Sequence, residues 1–265
     1  MSKVARSWAA IVGLVAAALL SANSAAAAQE ASAEEMAKAN NPLADMKAFN
    51  LQNYYIPKLY GVDDEVANMF WFRFAAPTGR VLWRASLPLP TVPTTSGDAE
   101  SGIGDFDLFA AYLAVQKPTL TIGIGPQVVA PTASNDALGT GKWQGGLATV
   151  AFVAPSPQVQ IGGLLIWRAS FAGDSDRSNT NVLAFQPFGF LQLGGGTYLR
   201  TSPIWAFDIE NEVYNIPFGF GIGKVTKIGK TVLNLFIEPQ FTVLHNGAGQ
   251  PAFQLFTALN MQFTN

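Results

Sequence analysis

Hydrophobic and polar residues alternate with a period of two over most of the chain from residue 48 onward. In the segment 232–244 the apolar set is Leu233, Leu235, Ile237, Pro239, Phe241 and Val243, and the polar set is Asn234, Glu238, Gln240 and Thr242. Successive side chains of a β-strand point to opposite faces, whereas a helix repeats every 3.6 residues. The pattern therefore predicts an all-β chain.

The alternating segments are separated by connections of two lengths. Short turns such as Pro77-Thr78-Gly79 alternate with longer connections such as 89–103 and 132–141. The twelve candidate strands between them are 49–58, 66–76, 80–88, 104–116, 119–131, 142–154, 157–171, 179–192, 196–207, 212–225, 230–244 and 251–263. Outer-membrane barrels combine tight periplasmic turns, longer external loops and an even strand number.

A soluble β-sandwich is the alternative architecture for this pattern. Sandwich strands usually run about five or six residues, whereas most of the candidate strands run about ten or more, as membrane-spanning strands must. The chain is therefore predicted to form a transmembrane antiparallel up-and-down β-barrel of about 12 strands over residues 48–265.

Composition agrees with a membrane barrel. Of the 265 residues, 49% are hydrophobic and only 13% are charged, against about 25% charged in ordinary soluble domains. The absence of cysteine excludes disulfides and thiolate chemistry. The formal charge of −2 provides no basic face for nucleic acid. No cofactor motif is found, and we expect none to bind.

The first residues have the features of a secretory signal. Lys3 and Arg6 precede an apolar run at 8–20, and small residues follow up to Ala28. A run of about 13 residues is too short to span a membrane, which disfavours the alternative of an inner-membrane anchor. We predict a signal peptide over residues 1–28 and a loose periplasmic segment over 29–47. A further hypothesis is that this segment enters the barrel and obstructs it.

A set of short motifs runs in order along the chain. They are Asn41-Pro42-Leu43-Ala44-Asp45, Gly102-Ile103-Gly104-Asp105, Gly123-Ile124-Gly125-Pro126, the stretch 131–143, Ala172-Gly173-Asp174-Ser175-Asp176-Arg177, Gln186-Pro187-Phe188 and Lys227-Ile228-Gly229. As a set they resemble the bacterial outer-membrane proteins usually labelled "transporter" or "neuromedin U", relatives of the phenol-degradation meta-pathway outer-membrane proteins. The resemblance implies a barrel in the cell outer membrane that passes small, often apolar, molecules, with no enzyme activity.

The C-terminus departs from what the resemblance implies. Barrels of this type commonly end on an aromatic residue that the barrel-assembly machinery reads, whereas here Thr264 and Asn265 follow Phe263. We expect Phe263 to serve as that assembly signal. The other expected partners are outer-membrane lipid, lipopolysaccharide and a small-molecule solute.

Seven charged residues fall on the face that the alternation assigns to the barrel interior. They are Arg73, Arg84, Asp105, Asp107, Arg168, Arg200 and Glu238. One interpretation is that they line a solute path and set its selectivity. The other is that they form salt bridges that brace the interior, because both signs are present. The sequence leaves both open, so a passive channel and a closed structural or adhesive barrel are both compatible with it.

Enzyme chemistry has little support. Some outer-membrane barrels hydrolyse lipids with a serine and a histidine at the outer rim. His245 is the only histidine, Ser170 is the strand serine nearest its predicted level, and no Gly-x-Ser-x-Gly motif occurs. No catalytic residue is assigned, and no cluster of metal ligands is present.

Overall fold

The computed structural model describes Met36, residues 38–94 and residues 97–263. The predicted signal peptide lies outside the described residues. Fifteen strands run through the described part of the chain: β1 (Lys47–Leu59), β2 (Ala67–Thr78), β3 (Val81–Pro93), β4 (Ala99–Ser101), β5 (Phe106–Lys117), β6 (Leu120–Ala130), β7 (Lys142–Val153), β8 (Val159–Gly173), β9 (Asn181–Gly194), β10 (Thr197–Thr201), β11 (Trp205–Asp208), β12 (Val213–Gly219), β13 (Gly221–Ile228), β14 (Thr231–Asn246) and β15 (Pro251–Phe263).

The strands form one antiparallel sheet that closes on itself. Each main strand pairs with the next along the chain, and β15 pairs with both β14 and β1. β10 and β11 follow each other end to end and together form one strand of the barrel, and β12 and β13 do the same. β4 pairs only with the outer end of β3 and is not part of the wall. The wall is therefore a closed barrel of twelve strands, which confirms the predicted fold class.

Two of the predicted strands, 196–207 and 212–225, are each broken into two. β10 and β11 pair with β9 in one continuous register, so the break between them is not an insertion. That register places Pro203 opposite Pro187, and Pro217 lies in the strand on the other side. Proline has no backbone N–H to donate to a ladder. Neighbouring prolines therefore open the hydrogen bonding at this level of the wall.

The predicted external loop at 89–103 is largely strand. β3 continues to Pro93, and β4 turns back along it with Thr91 paired to Ser101. The hydroxyls of these two residues are 2.8 Å apart and share a hydrogen bond. The sequence did not predict this strand because prolines at positions 88, 90 and 93 interrupt the alternation of polar and apolar residues. The result is a hairpin that extends β3 beyond the barrel rim.

The two faces of the wall differ in polarity. Along β8 the outward Trp167 is 45% exposed, whereas the inward Gln160 is 1% exposed. The same outward exposure of large apolar side chains recurs around the barrel, at Phe74, Trp83, Leu108, Ile124, Val128, Leu147, Ile161, Leu165, Leu191, Phe218, Ile222 and Phe241. An apolar exterior around a polar interior matches a barrel surrounded by lipid. Within the described residues no helix is long and apolar enough to cross a membrane.

The two ends of the barrel differ in their connections. The start of β1 and the end of β15 lie side by side, with Lys47 paired to Phe263. The short turns, such as those between β2 and β3 and between β13 and β14, lie at the same end. By the general plan of these barrels this end is periplasmic, and the longer connections face outward from the cell.

Candidate functional site

Residues 39–46, here called the luminal segment, lie inside the barrel near its periplasmic end. Asn41 and Pro42 form a turn in which Ala44 N donates to Asn41 O at 3.1 Å and Leu43 N donates to Asn41 Oδ1 at 2.9 Å. Asparagine followed by proline suits the first two positions of such a turn. The turn reverses the chain, so the segment folds into the lumen before it joins β1.

Apolar contacts hold the luminal segment at two residues, Ala39 and Leu43. Ala39 packs into a buried cluster of Phe152, Phe188, Phe190, Tyr198, Val225 and Val232. Leu43, 4% exposed, packs into a second cluster of Leu82, Phe109, Ala111, Leu113, Ala148, Val150 and Leu164. Burying a leucine side chain of this kind contributes about 1.5–3 kcal/mol. Two apolar clusters of the inner wall therefore pack against the segment.

Side-chain amides of the wall bind the backbone of the same segment. Asn234 Nδ2 donates to Ala39 O at 3.1 Å and to Asn40 Oδ1 at 3.0 Å. Gln262 Nε2 also donates to Ala39 O at 3.1 Å. Tyr198 OH orients Asn234 by donating to its Oδ1 at 2.5 Å. A short set of polar contacts therefore fixes the segment, in addition to its apolar contacts.

Arg200 and Glu238 form a fully buried ion pair in the lumen. Arg200 Nε donates to Glu238 Oε2 at 2.7 Å, and the two side chains are 6% and 0% exposed. Glu238 Oε1 also accepts from Ser202 N and from Gln240 Nε2, each at 2.8 Å. The guanidinium lies 3.3 Å from the centroid of the Phe236 ring. Each charge therefore has its opposite charge and at least one further hydrogen bond beside it, as a bracing role requires.

Arg73 and Arg84 project into the same lumen from β2 and β3. Arg73 lies over Trp71 at 4.5 Å and donates to Gln52 Oε1 at 2.5 Å. Arg84 lies over the Phe109 ring at 4.3 Å. Among the described residues no carboxylate oxygen comes within 4.0 Å of either guanidinium, and the Nε of each is buried without a hydrogen-bond acceptor.

Arg168 and Asp107 also face inward but do not pair with each other. The carboxylate of Asp107 accepts a hydrogen bond from Gln127 on β6. The Nε of Arg168 is buried, and in the described part of the chain this side chain forms no ion pair or hydrogen bond. Of the four predicted interior arginines, only Arg200 is joined to a carboxylate of the described residues.

Asp105 does not face the lumen from a strand, as predicted, but binds the backbone of an external loop. It precedes β5, and it accepts from Thr140 N at 2.7 Å and from Ala133 N at 3.2 Å. Across this loop, Arg177 Nη2 donates to Gly139 O at 2.6 Å and to Asp136 O at 2.8 Å. The predicted strand 104–116 begins two residues before β5, so Asp105 lies in the loop that precedes the strand. These contacts tie two external loops together.

His245 and Ser170, the two residues considered for enzyme chemistry, contact different partners. His245 stacks on Tyr60 with ring centroids 3.5 Å apart. The Ser170 hydroxyl instead bonds Asn179 and the backbone of Thr180. Within the described ranges no group of three or more acidic or histidine side chains could hold a metal ion.

Phe263 ends β15 at the periplasmic rim. It pairs with Lys47 of β1 and with Thr231 of β14, and its side chain is 43% exposed on the outer face. The residues after it lie outside the described part of the chain. Its position leaves the ring accessible, and its role as an assembly signal stays a prediction.

Several contact residues were missed by the sequence analysis. Asn234, Gln262 and Gln127 lie on the polar face of predicted strands, but a neutral amide in that pattern gives no sign of its partner. Tyr198 was not singled out because tyrosine is enriched at membrane interfaces, so a tyrosine in a strand does not by itself predict a contact inside the barrel. The only available signal was an amide at an inward position, which several strands share.

Comparison with known proteins agrees with the fold. Neither a family model nor a curated protein sequence matches the chain. The structure is similar to the crystal structure of an outer-membrane channel from Pseudomonas putida F1, at 16% sequence identity and a TM-score of 0.59, over 82% of this chain and 96% of that one. It is also similar to the NanC porin, at 10% identity and a TM-score of 0.53, over 82% of this chain and 100% of that one. The fold and the apolar exterior place the protein in the outer membrane.

Proposed function

We propose that this protein is a passive outer-membrane channel for small solutes and that the luminal segment controls access to its lumen. The observation that carries the proposal is the inward projection of Arg73, Arg84 and Arg168, none of which has a partner carboxylate within the part of the chain that the structure describes. Interior charges kept only for bracing would pair, as Arg200 does. Unpaired cations in a closed wall suit a path that charged or polar solutes use.

The luminal segment supplies the obstruction. With it in place, the cavity between the segment and the wall measures about 170 Å³, below the roughly 300–1,000 Å³ usual for a ligand site. In this proposal, solutes pass when the segment shifts. The segment is held by three amide hydrogen bonds and by the apolar contacts of Ala39 and Leu43, with no strand pairing, and we propose that it opens locally while the wall stays intact.

The finer elements of this function are also proposals. The motif set supports a relationship to the "transporter" and phenol-degradation outer-membrane proteins, and hence passage of small molecules. Phe263 supports recognition by the barrel-assembly machinery, and the external loops support contact with lipopolysaccharide. The contacts of His245 and Ser170 support a function without catalysis.

A closed structural barrel is the second candidate. It is favoured by the buried Arg200–Glu238 ion pair and by the packing of the segment against two apolar clusters. In this alternative the segment is a permanent part of the interior. The two candidates differ in one measurable property, which is whether the lumen conducts when the segment is free to move.

The test uses a reversible lock on the segment. The chain has no cysteine, so Asn40→Cys with Asn234→Cys introduces one thiol pair at side chains that now lie 3.0 Å apart. A short dithiol-reactive linker that reduction cleaves then joins them. In planar bilayers we expect single-channel openings from the reduced protein and their loss when the thiols are linked. Asn234→Cys alone is the control and should conduct in both conditions. Correctly inserted protein that is silent in every state would favour the closed barrel.

A further inference from the structure

The cavity between the luminal segment and the wall has an excess of positive charge. Arg73 and Arg84 line it, and no acidic side chain of the described residues does. Arg200 lines it too, but Glu238 already balances that charge. The cavity therefore contains two positive charges that the described part of the chain does not neutralise.

The phenylalanine rings at this cavity offer no surface to a ligand. Phe236 and Phe256 are each 2% exposed, and they contact each other edge to face. The Arg200 guanidinium lies 3.3 Å from the centroid of the Phe236 ring, and Tyr54 stacks on Phe256 with centroids 4.1 Å apart. The accessible lining is therefore largely polar, which suits a compact anion without an apolar body.

The two arginines are diagonal neighbours on the inner face of adjacent strands. Arg73 pairs with Ser86, which lies two residues after Arg84. Such diagonal positions are about 7–8 Å apart, within reach of long side chains, so one ion between the guanidinium groups can contact both. Water in the cavity would satisfy their donors but would leave the repulsion between two like charges. An anion removes that repulsion.

Three residues that line the cavity have a buried donor without an acceptor. The donors are Arg73 Nε, Arg84 Nε and, on the luminal segment, Asn40 Nδ2, and none of them has a hydrogen-bond partner in the described part of the chain. A guanidinium group presents paired N–H donors in a fixed geometry that matches two oxygens of a carboxylate or phosphate. The donors therefore favour an oxyanion over a spherical halide ion.

Inward amides continue from Arg73 across the wall. Asn50 of β1 pairs directly with Arg73 of β2 and, on its other side, with Asn260 of β15. Both asparagines line the cavity. An amide side chain carries two N–H donors and no charge. The strand register thus places neutral donors, and no carboxylate, beside Arg73.

We propose that this cavity binds a small hydrophilic oxyanion of the phosphate or sulfate type between Arg73 and Arg84. The two guanidinium groups balance its charge and donate to its oxygens, and Asn50 supplies a neutral donor beside them. A cavity of about 150 Å³ holds a benzene molecule in another protein, so about 170 Å³ admits such an ion with a few waters. The inference rests on the proposed channel function and deepens it by naming the solute class.

Isothermal titration calorimetry of the purified full chain in an uncharged detergent tests the site. Inorganic phosphate is the probe, and chloride at the same ionic strength is the anion without paired oxygens. We expect a single phosphate to bind at least tenfold more tightly than chloride. Equal affinity for the two ions, or no phosphate binding, would overturn the proposal. This comparison needs no variant to fold.

Variants then locate the site. Arg73→Gln and Arg84→Gln should each weaken phosphate binding at least tenfold. Arg168→Gln is the matched control, because it removes one luminal charge outside the cavity lining, and it should bind phosphate as the wild type does. An equal loss in all three variants would mean that the general charge of the lumen attracts phosphate, and it would overturn the assigned site.

A change at the neighbouring amide tests the charge balance with both arginines in place. Asn50→Asp keeps the size of the side chain and puts a carboxylate directly opposite Arg73. The new carboxylate takes the place of the anion, so phosphate binding should again weaken at least tenfold. Unchanged phosphate binding in this variant would contradict the assigned position of the anion.

The binding and conductance measurements separate the two proposals. Phosphate binding by a barrel that stays silent in bilayers would support the site and contradict the channel. Openings from the reduced protein without phosphate binding would support the channel and contradict the site.

Discussion

Arg200 and Arg84 project into the same lumen and differ in what surrounds their charge. Arg200 is joined to Glu238, which also accepts from Ser202 and Gln240. Arg84 has an aromatic ring behind it and no carboxylate within 4.0 Å among the described residues. The comparison teaches that an interior arginine can brace a barrel or remain available to a solute, and that its partners distinguish the two.

Of the changes that test this comparison, loss of Glu238 should lower the stability of the barrel most. Glu238→Ala leaves the Arg200 charge buried without its partner, which typically costs about 3–5 kcal/mol. We expect the free energy of unfolding to fall by that amount. Urea unfolding of the barrel in lipid vesicles, followed by tryptophan fluorescence, measures it. A loss below about 1 kcal/mol would show that the pair does not brace the wall.

Ser202 should have a smaller effect on the same pair. Its backbone N–H and hydroxyl both donate to the Glu238 carboxylate, and the hydroxyl also accepts from Arg200 Nη2. Ser202→Ala removes the two hydroxyl contacts and keeps the backbone one. Hydrogen bonds to charged groups contribute about 1.5–3 kcal/mol, and we expect a loss near the lower end. The same urea series checks it, with Ser175→Ala in an exposed loop as the control. A loss as large as that of Glu238→Ala would place the bracing in Ser202.

Arg84 should have the smallest effect on stability. Arg84→Met keeps the apolar stem and removes a charge that no carboxylate balances, so only the contact with Phe109 is lost. That contact contributes about 0.5–2 kcal/mol, and relief of the buried charge offsets it. We expect a change within about 1 kcal/mol of zero in urea unfolding. A loss comparable to that of Glu238→Ala would make Arg84 a bracing residue too.

The strand alternation predicted most of the fold because a barrel wall repeats one simple rule. Each membrane strand must turn apolar side chains to lipid, and the period of two records this directly. The strand prediction was wrong where prolines interrupt the alternation, at 89–103 and around Pro203. There the backbone hydrogen bonds, and not the side-chain polarity, decide where a strand begins and ends.

The interior contacts were less predictable. Alternation placed Arg200 and Glu238 on one face, but they are 38 residues apart, and their meeting depends on the relative height of strands that are not neighbours in sequence. The same holds for Asn234 and Ala39, which are 195 residues apart. Asp105 was predicted to face the lumen because the predicted strand began at 104. The strand begins at Phe106, and this difference of two residues leaves Asp105 in a loop.

Ion selectivity tests most directly whether the unpaired arginines face a solute path. Reversal potentials across a KCl gradient would be measured for the wild-type protein and for Arg73→Gln with Arg84→Gln, each refolded into planar bilayers. The account predicts a preference for chloride in the wild type and its clear reduction in the double variant, because two fixed cations leave the path. An unchanged reversal potential in conducting double-variant channels would contradict the account and return both arginines to the closed interior of the wall.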